Sequence, residues 1–214
     1  MKILKIERQK KDRNRYSLFS DEGFERGISE DTLVRFGIRA GDELGEGIMK
    51  ELTEYDDFIS ARKTAYDFLA YKARTNSEVV RKLKSKKYDS RAIERTIELL
   101  KEQNYLDDEE YAFNYAVEKI RSKPVGRELL KKKLIQKGID KETVEQAIIK
   151  ALEREDESVI ALAALRKYMT RSRASEPEKA RARCFRHLIS RGFSIETATE
   201  ATNIYMKEFD SQSI

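Results

Sequence analysis

The sequence predicts a mainly α-helical chain built as three tandem three-helix repeats in an elongated, curved array, with a small β-rich extension at its amino end. Three observations predict it. A seven-residue signature recurs three times at nearly constant spacing, apolar residues keep helical spacing as far as Tyr205, and the charged fraction is high for a single compact core. Charged and hydrophobic residues each make up 39% of the 214 residues, against about 25% and roughly 45–50% in an average globular chain. So much surface for so little core suits modules that each bury one face against a neighbour. One irregular helical bundle is the alternative arrangement.

Residues 1–52 form the extension. Met1 to Arg8 and Arg15 to Ser20 have strand-like patterning, and Asp21-Glu22-Gly23 before Phe24 to Ile28 is a hairpin signal. Ser29 or Asp31 caps a short helix that closes at Gly37, with Ile38 packing behind it. The repeats then occupy residues 53–106, 107–155 and 156–214, their first helices near Ala61 to Ala73, Glu109 to Ile120 and Glu157 to Tyr168.

The signature lies at the junction of the second and third helices. Leu83-Lys84-Ser85-Lys86-Lys87-Tyr88-Asp89 returns as Leu134-Ile135-Gln136-Lys137-Gly138-Ile139-Asp140 and as Leu188-Ile189-Ser190-Arg191-Gly192-Phe193-Ser194, at offsets of 51 and 54 residues. The leading Leu is a core position, with Val79, Leu130 and Cys184 one helical turn earlier on the same face. Gly138 and Gly192 stand where a helix ends in the left-handed region, which glycine enters without steric cost; Lys87 is the weaker terminator in the first repeat. Tyr88, Ile139 or Phe193 then packs back on the helix just ended, and Asp89, Asp140 or Ser194 caps the next one. Third-helix stripes follow: Ile93, Ile97 and Leu100; Val144, Ile148 and Ala151; Ala198, Thr202 and Tyr205. Pro124 and Pro177 precede the second helices of repeats two and three, and Thr75 and Glu78 stand there in capping-box spacing in repeat one.

The residues argue against catalysis. One histidine, His187, lies in a basic helix and reads as a surface position, while Cys184 aligns with core residues and cannot close an intrachain disulfide. No phosphate loop, dinucleotide fingerprint or zinc-binding spacing is present, so no cofactor or metal is expected. Asp107 to Glu110 reads as the acidic start of a helix. No apolar run approaches bilayer length, since the longest is Val159 to Leu165. The expectation is a cytoplasmic monomer without membrane contact.

Charge is segregated. Residues 81–91, 119–137 and 166–191 hold 23 of the 44 Lys and Arg but 4 of the 39 acids, which suits an extended anionic partner. Three aligned rows on the second helices carry this charge: Arg81, Lys132 and Arg186; Lys82, Lys133 and His187; Lys86, Lys137 and Arg191. With Arg127, they form a candidate basic ridge, at about 100° per residue the first row pointing away from the core Leu. The third helices carry Glu142, Glu145, Glu196 and Glu200, which disfavours their use as recognition helices in a DNA groove but leaves phosphate tracking by the second helices open.

The run Ser77-Glu78-Val79-Val80-Arg81-Lys82-Leu83, the closing Asn104-Tyr105-Leu106-Asp107-Asp108-Glu109 with Tyr111-Ala112, and Gly126-Arg127-Glu128-Leu129 before Leu134 to Asp140 together resemble the RecX family, regulators of the RecA recombinase. Arg15-Tyr16-Ser17-Leu18 and Phe36-Gly37-Ile38-Arg39-Ala40-Gly41 resemble the amino-terminal extension of some members. The resemblance implies tandem three-helix repeats and a non-enzymatic modulator lying in the groove of the RecA filament on single-stranded DNA. That role restrains ATPase, strand exchange and coprotease activity in DNA repair and the SOS response. Contact with single- or double-stranded DNA through phosphates is a further expectation, and a DNA-binding protein acting without a recombinase is the alternative. Glycine follows the proline in Ser122-Lys123-Pro124-Val125-Gly126, where many relatives carry it before.

Overall fold

The computed structural model describes residues 1–153, 156–170 and 177–211. Part of the basic run 166–191 and of the acidic stretch 153–157 therefore lies outside the described residues, as do positions 212–214. The chain divides into two compact units, one of Met1–Arg74 with Glu78–Leu106, the other of Thr75–Ser77 with Asp107–Ile214.

The first unit begins with a meander of β1 (Lys5–Arg8), β2 (Arg15–Ser20) and β3 (Gly23–Ser29), paired antiparallel in that order. The β2–β3 turn contains Gly23 at φ +112°, and a register shift at Leu18/Phe19 bends the ribbon. Helix α1 (Glu30–Phe36) is capped by Ser29, whose hydroxyl accepts from the Thr32 amide; Asp31 lies inside the helix. Gly37 closes α1 at φ +61° and Ile38 is buried behind it, as the spacing predicts.

Helix α2 (Glu46–Leu69) starts far earlier than the Ala61 read from the sequence and runs without a break through residue 52. It serves two cores. Leu52 packs with Ile3, Leu18 and Ile28 under the sheet, while Phe58, Ile59, Ala61 and Ala65 pack with α3 (Asn76–Ser85) and α4 (Ser90–Glu102). Asp56, 2% exposed, fastens α2 to the sheet: it accepts from the Ser29 amide at 2.6 Å, the Thr32 hydroxyl at 2.9 Å and the Arg15 guanidinium at 3.2 Å.

The second unit holds α5 (Asp108–Ser122), α6 (Arg127–Gln136) and α7 (Lys141–Leu152), then α8 (Glu157–Met169), α9 (Pro177–Ser190) and α10 (Ile195–Ser211). One continuous apolar core serves both triplets, from Ala112 to Met206. The signature behaves as read. Leu83, Leu134 and Leu188 are fully buried, and Lys87, Gly138 and Gly192 all adopt positive φ, at 62°, 85° and 82°. Amides of Ile139 and Phe193 return to the carbonyls of Leu134 and Leu188, and Asp89, Asp140 and Ser194 accept from amides in the first turns of α4, α7 and α10.

The turn glycines have a second task. Gly126 at the start of α6 supplies no capping side chain; instead its amide donates to the Arg191 carbonyl at 3.0 Å and that of Glu128 to the Gly192 carbonyl at 3.1 Å. The turn after α9 thus satisfies orphan donors at the start of α6. A Cβ on Gly126 would strike the Gly192 backbone, and one on Gly192 would strike Leu129. At the start of α3 the hydroxyls of Thr75 and Ser77 make the corresponding bonds to the carbonyls of Lys137 and Gly138, at 2.8 and 2.9 Å.

Candidate interaction surface on the second helices

Each second helix buries one narrow stripe, Val79 and Leu83 on α3, Leu130 and Leu134 on α6, Ala180, Cys184 and Leu188 on α9. The aligned basic residues therefore fall outside the core, yet the three rows meet different environments.

Arg81, Lys132 and Arg186 are all exposed. Arg81 and Lys132 make no side-chain bond among the described residues, and Arg186 donates only to the Ala182 carbonyl of its own helix at 3.2 Å. This row is the freest charge of the candidate ridge.

The second row is half-buried, two of its three members against aromatic rings. Lys82 sits 5.6 Å from the Phe68 centroid, on whose ring Arg74 also stacks at 4.0 Å. Lys133 is half-buried. His187 departs from its reading as a surface residue, since its ring stacks on Tyr168 at 4.0 Å and 8°. Burial, reinforced by the Arg191 charge, pushes its pKa below the ordinary value of 6.5, so the neutral ring is favoured near pH 7. It adds aromatic surface there in place of charge.

The third row diverges most. Lys86 is exposed. Lys137 lies 5.3 and 5.8 Å from the stacked rings of Tyr111 and Tyr115. Arg191 is committed to structure: its guanidinium donates to the carbonyl of Lys123 at 2.7 Å and to that of Pro124 at 2.9 and 3.1 Å, clamping the turn before α6. Arg127 opens α6 half-buried, its amide bonded to the Glu157 carboxylate at 3.1 Å. Between the rows, Lys131 pairs with Glu145 of α7, which holds that carboxylate below its usual pKa and ties up this cation.

Two lysines and a tyrosine outside the aligned rows complete a second basic feature. Lys123, Pro124, Ala164, Lys167, Tyr168, His187 and Arg191 line an open groove of about 600 Å³ in the second unit. The alignment of second helices misses Lys123 and Lys167, because one is in a turn and the other on α8; the Lys167-Tyr168 pair closing α8 was the available signal.

The carboxylates at the repeat junction have structural partners. Asp107 caps α5 by accepting from the Glu110 amide, and Asp108 accepts from the Asn76 amide, both at 2.9 Å. Burial pushes the Cys184 thiol above its ordinary pKa, as for a core side chain. Among the described residues no three His, Cys, Asp or Glu side chains are placed to hold a metal, and no helix is long and apolar enough to cross a membrane.

A small sheet followed by three three-helix domains, with basic side chains on each second helix, defines a protein of tandem helical modules. Family models described as "Regulatory protein RecX N-terminal domain" and as the first, second and third three-helix domains of RecX match residues 1–45, 61–100, 107–148 and 155–202. The chain belongs to the RecX family of regulatory proteins. It is 32% identical over 202 residues to the regulatory protein RecX of Staphylococcus aureus strain Newman, covering 94% of this chain and 74% of that one. Identity to the regulatory protein RecX of Staphylococcus carnosus strain TM300 is 34% over 217 residues, covering 100% and 79%. A crystal structure of a regulatory protein RecX superposes with a TM-score of 0.67 at 25% identity over 94% of this chain and 98% of that one. That of RecX from Lactobacillus salivarius shares the fold, with a TM-score of 0.63 at 23% identity over 70% and 96%.

Proposed function

We propose that this protein regulates a RecA-type recombinase by binding its filament on single-stranded DNA, restraining ATPase, strand exchange and coprotease activity in DNA repair and the SOS response. It does so in the cytoplasm, as a monomer and without catalysing a reaction. One observation carries the reading: the row Arg81, Lys132 and Arg186 is exposed on all three second helices and, among the described residues, is paired with no acid, in a chain of the RecX family. A row repeated once per domain matches a partner that itself repeats. Glu142, Glu196 and Glu200 are exposed on the third helices, so the second helices are the faces that approach anionic surface. The half-buried Lys82, Lys133 and Lys137 and the exposed Lys86 supply flanking charge, whereas Arg191 acts through the turn that it holds.

The test is recombinase ATPase on single-stranded DNA with this protein titrated in. A fall in turnover well below one protein per recombinase supports the reading. Unchanged turnover at equimolar protein, with DNA still bound in the absence of recombinase, overturns it in favour of a DNA-binding protein acting alone.

A further inference from the structure

We propose that the groove lined by Lys123, Lys167, Tyr168, His187 and Arg191 is a phosphate-binding site for single-stranded nucleic acid, which takes the backbone on its cations and a base against its aromatic pair. This inference does not rest on the filament reading.

Four features carry it. Among the described residues no carboxylate lines the groove, although acids are 39 of the 214 residues, so none of these neighbours cancels its charge. Two of its cations are positioned before any ligand arrives: Lys167 donates to the Ser122 carbonyl at 3.0 Å and Arg191 to those of Lys123 and Pro124, fixing side chains that would otherwise lose rotamer freedom on binding. The bonds named for Arg191 use its Nε and one Nη, and that for Lys167 uses one of three ammonium protons, so both retain donors for phosphate oxygens. Tyr168 and His187 add a flat ring pair beside these cations, the pairing of aromatic faces with basic groups by which proteins hold unpaired bases on a charged backbone track. A duplex keeps its bases stacked inside and cannot use the rings, which is why a single strand is the ligand.

Binding of a fluorescent oligothymidylate of about 15 nucleotides to the full chain, without recombinase and at about 50 mM salt, tests the site. Lys123→Glu with Lys167→Glu is expected to weaken binding roughly tenfold or more and to flatten its salt dependence by the equivalent of one or two phosphates. Lys141→Glu with Lys150→Glu, two exposed lysines of α7 outside the groove, makes the same charge change and is expected to cost less than about threefold, the effect of general field alone. Tyr168→Leu is expected to weaken the oligothymidylate while leaving the affinity for a blunt duplex unchanged. Should charge reversal disturb folding, Lys123→Gln with Lys167→Gln reads the same contacts with a milder change. Equal losses from the groove and α7 pairs in folded protein would overturn the proposal. So would ATP displacing the strand at equal phosphate concentration, which would mark a pocket for free nucleotides.

Discussion

His187 is the one histidine of the chain, and its stacking on Tyr168 gives the second unit a pH response that can be isolated. Its pKa is lower folded than unfolded, so between the two values the unfolded chain binds more protons. Stability is then undiminished above the unfolded value of about 6.5 and falls as pH drops through it toward the folded value. Thermal unfolding at about pH 5.5 should show a lower Tm than at about pH 7.5, and His187→Gln should shrink that difference. An unaltered difference in the variant would place the response elsewhere. Asp56 acts at the same scale in the first unit. Removing its carboxylate in Asp56→Ala leaves the Ser29 amide and Arg15 guanidinium without their acceptor, a loss of about 3 kcal/mol by chemical denaturation. Neither role is legible in the sequence. Asp56 lies among Glu54, Tyr55 and Asp57 with nothing to distinguish it, and its strand partners Ser29 and Arg15 stand 27 and 41 residues away.

At the scale of elements, what is local is legible. A terminator, an apolar residue and a cap within a few positions announced each second-to-third helix turn, even where Lys87 replaces glycine. That replacement carries a cost, since a residue with a Cβ loses about 1–2 kcal/mol in the left-handed region, less the entropy that glycine forfeits. Lys87→Gly should therefore stabilise the first unit by about 0.5–1 kcal/mol, seen as a higher midpoint in urea. Gly192→Ala should do the reverse and cost about 2–4 kcal/mol, because strain at positive φ adds to collision with Leu129. Equal effects of the two substitutions would refute the close-approach account. Helix α2 shows where local reading fails. Gly45 and Gly47 flank its start and charges are interleaved through its first turns, so glycine, ordinarily a helix breaker, hides a helix that tertiary burial of Leu52 holds in place.

At the scale of the whole molecule, repetition in sequence predicts repetition of fold more faithfully than repetition of surface chemistry. Core leucines and terminators stay equivalent in all three repeats because each repeat must solve the same packing problem. Basic residues at equivalent positions need not stay equivalent, because what surrounds them comes from other helices: the first row is exposed throughout, but in the third Lys86 is exposed, Lys137 lies on two tyrosines, and Arg191 grips backbone carbonyls. Of the candidate basic positions, Arg81, Lys132 and Arg186 are those that keep the same exposure in every repeat, and the groove at Lys167 and Tyr168 is a separate feature. The most direct measurement is inhibition of recombinase ATPase on single-stranded DNA by Arg81→Glu, Lys132→Glu, Arg186→Glu, compared with the unaltered protein after both are confirmed folded by circular dichroism. Three reversed charges at a polar contact surface should raise the half-inhibitory concentration at least about tenfold. Inhibition at the unaltered concentration would contradict the claim that the second helices are the face this protein presents to the filament.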